Sequence, residues 1–190
     1  MSSVFPTVYF GNLNYFKSLY HQQTIEIEAK EHFIKQTYRN RCEILTGQGV
    51  QTLSIPVIRI NGSKTVIDQV TISHDTDWRK DHWKAIESAY ASAPYFEHYC
   101  NEVKELIYQN ETNLLLFNDA ILKRVFKWLE IPVKISYTTR YKLGKESNDI
   151  NNEINPKYIQ VFGKPNDFID NLSILDAIFC LGPMARKIIC

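Results

Sequence analysis

The stretch TVYFGNLNYFKSLYHQQTIEIEA (7–29) decides the fold. Its first four residues are β-prone and stop at Gly11-Asn12, a turn signal. Residues 14–20 then place Tyr15, Phe16, Leu19 and Tyr20 at helical spacing. Residues 23–29, QTIEIEA, alternate apolar and polar side chains, as a half-buried strand does. The order is strand, loop, helix, strand. Two strands joined by a helical crossover favour a parallel pair. The expected fold class is therefore α/β, with a small sheet that opens on a strand–helix–strand unit.

Downstream, residues 40–60 read NRCEILTGQGVQTLSIPVIRI. Two β-prone segments flank TGQG (46–49), a hairpin signal. Pro56 places its strand at an edge or a bulge. Asn61-Gly62 makes a second turn, and residues 66–73 read as a further short strand. A helical middle follows. Asp75, Thr76 or Asp77 can cap a helix running to about residue 92, with Trp78, His82, Ile86, Ala89 and Tyr90 on one stripe. Pro94 suits the first turn of a second helix. Thr112 can cap a third, which stops before Pro132. Residues 133–138 then read as a strand, 158–162 as another, and 171–181 as a last helix ending at Gly182-Pro183. The polar run LGKESNDINNEINP (143–156) is expected to be the most mobile internal loop.

A chain of 190 residues fits one domain, 1–190. Its 44% hydrophobic content is enough for a sizeable core. A formal net charge of +1, with no long run of like charge, excludes the strong field that nucleic-acid binders use. No basic segment followed by a long apolar run opens the chain, and the apolar run near residues 174–182 is too short to span a bilayer. A cytoplasmic protein without membrane insertion is expected. Cys42, Cys100, Cys180 and Cys190 form no CxxC pair and have no His at zinc spacing, so four reduced thiols, three of them buried, and no metal are expected.

There is no GxGxxG, P-loop, HExxH or GxSxG signature. Three segments can carry chemistry instead. The first, EHFIKQTYRNRC (31–42), gathers Glu31, His32, Lys35, Arg39, Asn40 and Arg41 between two β-prone stretches. Guanidiniums beside a lysine grip phosphate or carboxylate, and Glu31 can orient one of them or act as a base. The bland alternative is a solvated connector. The second, WRKDHWKAIESAY (78–90), puts His82 one turn after Trp78, either as a hydrogen-bonded core residue or as a general base. The third, LSILDAIFCLG (172–182), sets Asp176 in a helix that is apolar almost all round. A buried carboxylate there needs partners, either in a structural ion pair or in catalysis.

These segments, together with LSIPV (53–57), SAPYFEHY (92–99), LLLFND (114–119) and the opening at residues 9–16, resemble the WbqC-like family in the form common in Bacteroidetes. One departure stands at the first loop. Other members carry Gln-Pro and then Pro-Trp, where this chain has Gly11-Asn12 and Leu13-Asn14. The resemblance implies a role in O-antigen or other surface-polysaccharide biosynthesis, with transfer of an aminoacyl or acyl group to a sugar or sugar nucleotide. The competing class is a non-catalytic binding or accessory protein of the same pathway. The positions that match the family are Lys35, Asn40, Arg41, Trp78, His82, Tyr90, Ser173 and Asp176. In the enzyme reading Arg41, Lys35 and Arg39 hold an anionic group, and Asn40 orients the carbonyl or the sugar. His82, Asp176 or Glu31 moves a proton, while Trp78, Tyr90 and Ser173 help form the substrate site. The substrate is a small molecule or sugar nucleotide, no cofactor is named, and a homo-oligomer is left open. If Glu31, Lys35, Asn40, Arg41, His82 and Asp176 act together, at least four should line one pocket near the C-terminal ends of the first strands.

Overall fold

The computed structural model describes residues 3–144, 154–163 and 167–190. The chain opens with β1 (Ser3–Phe5), α1 (Leu13–Tyr20) and β2 (Thr24–Ile27). A hairpin follows, β3 (Arg41–Thr46) and β4 (Gly49–Ser54), then the short β5 (Val57–Ile58) and β6 (Thr71–Ile72). Three helices form the middle: α2 (Trp78–Tyr90), α3 (Phe96–Tyr108) and α4 (Leu114–Trp128). β7 (Lys134–Tyr137), α5 (Ile174–Leu181) and α6 (Arg186–Ile189) complete the order.

The central sheet is parallel throughout, in the order β1-β2-β7. The parallel opening pair is as expected, but its first strand lies earlier than expected. Pro6 has no N–H to give the ladder, so pairing stops at Phe5. Residues 7–10 leave the sheet as a buried loop, with Phe10 in the left-handed region at φ 39. Their apolar side chains have strand composition because they are buried, not because they pair.

The hairpin pairs Arg41↔Ser54 through Thr46↔Gly49 across the two-residue turn Gly47-Gln48, as expected. Gly49 takes φ 107, which an L side chain rarely adopts. The expected strand over 66–73 shrinks to β6, because residues 67–69 form a 3-10 turn whose Val70 N–H closes on the Ile67 carbonyl. Residues 158–162 are not a strand. Gln160 there exchanges hydrogen bonds with the Ile169 backbone through its side chain.

Three helix starts, of α1, α4 and α5, carry side-chain caps, whereas α2 begins after Asp77 without a side-chain cap bond. Asn12 accepts from the Tyr15 N–H, Asn113 from the Leu116 N–H and Ser173 from the Leu175 N–H. The third middle helix is thus capped by Asn113, not Thr112. α5 begins at Ile174, three residues later than expected, because Ser173 is its cap. It ends at Gly182, with φ 57 and a Tyr95 ring atom 2.4 Å from where a Cβ would sit. α5 is buried from Ile174 to Cys180 and packs against α1, α3 and β3, so it is the centre of the core. The Phe179 ring meets Tyr90 at 5.1 Å and Phe96 at 5.3 Å.

All four cysteines are free thiols. Two rather than three are buried, Cys42 and Cys180, since Cys190 is at the exposed end of α6 and Cys100 is half-buried on α3. Among the described residues no helix is long and apolar enough to cross a membrane. Most of the expected mobile loop, residues 145–153, lies outside the described residues.

Candidate functional site

Parallel strands end together, so the residues just beyond β2 and β7 form one crest. Glu28 organises it. This side chain is almost fully buried. Its Oε1 accepts from Thr138 Oγ1 at 2.7 Å and from the Lys30 N–H at 2.7 Å, and its Oε2 accepts from the Lys142 N–H at 2.8 Å. Thr138 Oγ1 in turn accepts from the Ala29 N–H. One carboxylate thereby ties the loop after β2 to the loop after β7, and each polar atom is satisfied.

Beyond Glu28 the chain turns into the segment singled out from the sequence. Its backbone docks on residues 65–67: Phe33 donates to the Thr65 carbonyl and Ile67 to the Glu31 carbonyl. Glu31 and Arg39 form a buried two-point pair, with Nε to Oε1 at 2.7 Å and Nη2 to Oε2 at 2.6 Å. Arg39 also reaches Thr37, and its carbonyl accepts from Asn118 Nδ2 at 2.8 Å. Both charges of the Glu31–Arg39 pair are therefore engaged.

Two cavities open on this crest. One, of about 400 Å³, is lined by Lys30, Glu31, His32, Ile34 and Tyr141. The other, of about 410 Å³, includes Lys30, Asp68, Tyr137, Thr138 and Thr139 in its wall. Lys30 belongs to both, and its ammonium pairs with Asp68 Oδ2. Asp68 Oδ1 is enclosed with no hydrogen-bond partner among the described residues. The Asp68 backbone carbonyl accepts from Asn113 Nδ2 at 2.7 Å, which pins this turn to the start of α4.

The other expected site residues lie elsewhere. Lys35 is exposed. Asn40 is buried, donating to the Ile55 carbonyl at 2.8 Å, with its Oδ1 unpartnered. Arg41 opens β3 and is half-buried, with an enclosed Nε that has no hydrogen-bond partner among the described residues. His82 Nδ1 lies 2.9 Å from the Tyr9 hydroxyl, and its ring sits edge-on to Trp78 at 5.0 Å. Burial pushes the His82 pKa down to about 4, against a smaller opposing effect of its hydrogen bond to the Ser54 backbone. Tyr9 is held protonated by burial, so its hydroxyl donates to Nδ1 and the Nε2–H is left for the Ser54 carbonyl. Nδ1 is thereby engaged by Tyr9.

Ser173 donates to the Phe10 carbonyl at 2.8 Å while capping α5. Asp176 is completely buried. Its Oδ2 accepts from the Tyr158 hydroxyl at 2.6 Å and from Gln160 Nε2 at 3.0 Å. Burial raises this carboxyl above the usual range, and those hydrogen bonds bring it part of the way back. The Tyr90 hydroxyl stands close enough to influence the carboxyl but outside hydrogen-bond geometry, so it and Asp176 Oδ1 are both enclosed without a partner among the described residues. Of the six residues expected to converge, Glu31 lines a crest cavity. Lys35, Asn40, Arg41, His82 and Asp176 line none of the four cavities with described walls. The charges of Glu31 and Arg39, and Nδ1 of His82, are consumed in networks of their own.

The model of the WbqC-like protein family matches residues 7–155. The chain belongs to that family. The matched stretch contains the whole crest together with Arg41, Trp78, His82 and Tyr90, while Ser173 and Asp176 lie beyond it. The chain is also 30% identical over 112 residues to the uncharacterized protein Rv1507c of Mycobacterium tuberculosis. That alignment covers 58% of this chain and 48% of the relative, so the chain spans about half the length of the protein it matches. No solved structure matches the chain.

Within this WbqC-like fold, sequence reading passed over Lys30, Asp68, Glu28 and Thr138. One signal was present. Lys30 directly follows the alternating strand QTIEIEA, and residues just beyond parallel strands are where α/β sheets place ligands. Asp68 carried none, because only the fold brings it to Lys30.

Proposed function

We propose that this WbqC-like protein acts in surface-polysaccharide biosynthesis, transferring an aminoacyl or acyl group to a sugar or sugar nucleotide bound at the crest. The observation that carries this reading is the Lys30–Asp68 pair at the carboxyl ends of the parallel strands. Lys30 lines both cavities, and Asp68 keeps one enclosed oxygen free. In this reading Lys30 and His32 hold the anionic part of the substrate, with Lys35 on the exposed rim. The Tyr141 ring, 60% exposed, stacks on a sugar or base face. Asp68 takes the proton from the acceptor hydroxyl. A bond forms from that oxygen to the acyl carbon, the bond from the acyl carbon to its carrier breaks, and the carrier leaves with the electron pair. Arg39 and Glu31 position the segment, and His82 braces the first loop through Tyr9.

One observation favours the non-catalytic alternative. Glu31, Arg39 and His82 are all engaged within the fold, which suits a rigid binding surface. Titrating uridine diphosphate N-acetylglucosamine by calorimetry tests the binding step shared by both readings. Lys30→Ala should weaken binding at least about tenfold, or 1.4 kcal/mol, while Asp68→Asn should stay within about twofold of wild type. Equal affinity of Lys30→Ala and wild type would remove the crest from the site.

A further inference from the structure

A third cavity lies beside the end of α5. Its volume is about 540 Å³, and its wall includes Ser92, Tyr158, Ile159, Gln160, Val161 and Leu181. Residues 158–161 and 181 fall beyond the stretch that matches the family, and no wall residue is shared with the crest.

The hydrogen bonds of this wall are directed inward. The Tyr158 hydroxyl gives its proton to Asp176 Oδ2. Both protons of the Gln160 amide are used, one on Asp176 Oδ2 and one on the Ile169 carbonyl. What Tyr158 and Gln160 can still offer a ligand is lone pairs: the phenol oxygen, and Oε1, which among the described residues accepts from the Ile169 N–H alone. Among the described residues no Lys, Arg or His lines the cavity, and the Asp176 carboxyl stands directly behind Tyr158 and Gln160. Ile159, Val161 and Leu181 supply an apolar surface. Among the described wall residues the donors left are neutral and weak, the Ser92 hydroxyl and the Cys180 thiol, so an anion here would meet no cation and would stand in front of the Asp176 carboxyl. A hydroxyl on an apolar body would meet acceptors positioned for it.

We propose that this cavity is a second binding site, for a small uncharged molecule with an apolar body and a hydroxyl-type donor, and that it disfavours anions. Asp176 is its positioning residue: it takes the hydroxyl proton of Tyr158 and one amide proton of Gln160, which leaves these two wall residues with acceptors rather than donors for a ligand. The site is independent of the sugar reading of the crest.

Two probes of nearly equal shape test it, benzyl alcohol and benzoate. Each is titrated into the full chain carrying ¹³C-labelled methyl groups, and the Ile159, Val161 and Leu181 methyl signals are followed by NMR. Benzyl alcohol should shift these methyls saturably, and benzoate should bind at least about tenfold more weakly. Benzoate binding as tightly as the alcohol would overturn the proposal. So would an alcohol titration that shifts none of these methyls.

Discussion

Acidifying this protein from pH 8 to pH 5 should destabilise it through one buried side chain, His82. The imidazole is 5% exposed and fixed between the Tyr9 hydroxyl and the Ser54 backbone. Its pKa falls from 6.5 to about 4 on folding, because burial penalises the charged form. The folded value is depressed, so the neutral ring contributes stability that is complete above pH 6.5 and is lost as pH falls toward 4. At pH 5 the unfolded ring is protonated and the folded ring is not. The gap of about 1.5 pH units between pH 5 and the unfolded pKa, at about 1.4 kcal/mol each, amounts to about 2 kcal/mol. Asp176 works in the opposite direction, since its raised carboxyl favours folding at lower pH. A bare pH profile therefore mixes the two, and a variant is needed. His82→Gln keeps an acceptor for Tyr9 and a donor for Ser54 but cannot titrate. Urea unfolding of both proteins at pH 8 and pH 5 isolates the effect. The wild type should lose about 2 kcal/mol more than His82→Gln between the two conditions. Equal losses would refute the reasoning and show that His82 is solvated in the folded protein.

Further expectations concern the other buried groups. Glu31→Gln leaves the Arg39 charge, which is 2% exposed, without its carboxylate and should cost about 3–5 kcal/mol in urea unfolding; a cost under about 1 kcal/mol would mean the pair is not enclosed. Ser173→Ala removes the α5 cap and the bond to the Phe10 carbonyl, so stability should fall by about 1–2 kcal/mol, read as a lower melting temperature. Iodoacetamide at pH 8 should modify the exposed Cys190 first and spare Cys42 and Cys180, whose thiols burial pushes up, the latter to about 12. Peptide mass mapping reads the order, and early labelling of Cys42 would contradict the core placement.

What could be read from the sequence was what neighbours along the chain decide. The TGQG turn, the β-prone runs beside it and the apolar stripes of α2, α3 and α4 are local patterns, and the structure carries all of them. Residues 7–10 look like a strand for the same reason that they are buried, and only Pro6 marks where pairing stops. Residues 158–162 have strand composition, but the pull of Asp176 on Tyr158 and Gln160 acts across the fold and has no local signature. The candidate site divides in the same way. Glu31 and Arg39 stood out because they lie eight residues apart in one charged segment. Thr138 reaches the loop after β2 only once β2 and β7, more than a hundred residues apart, pair in parallel, and Asp68 reaches Lys30 only because residues 65–67 dock on Glu31 and Phe33.

The central claim is that Asp68 moves a proton in a transfer onto a surface glycan. Mass spectrometry of the surface polysaccharide tests it most directly, in a strain deleted for this protein and complemented with wild type or with Asp68→Asn. The deletion strain should lose one aminoacyl or acyl substituent, wild type should restore it, and Asp68→Asn should not, although it accumulates as a folded protein. Full restoration by Asp68→Asn, or an unchanged glycan in the deletion strain, would contradict the claim.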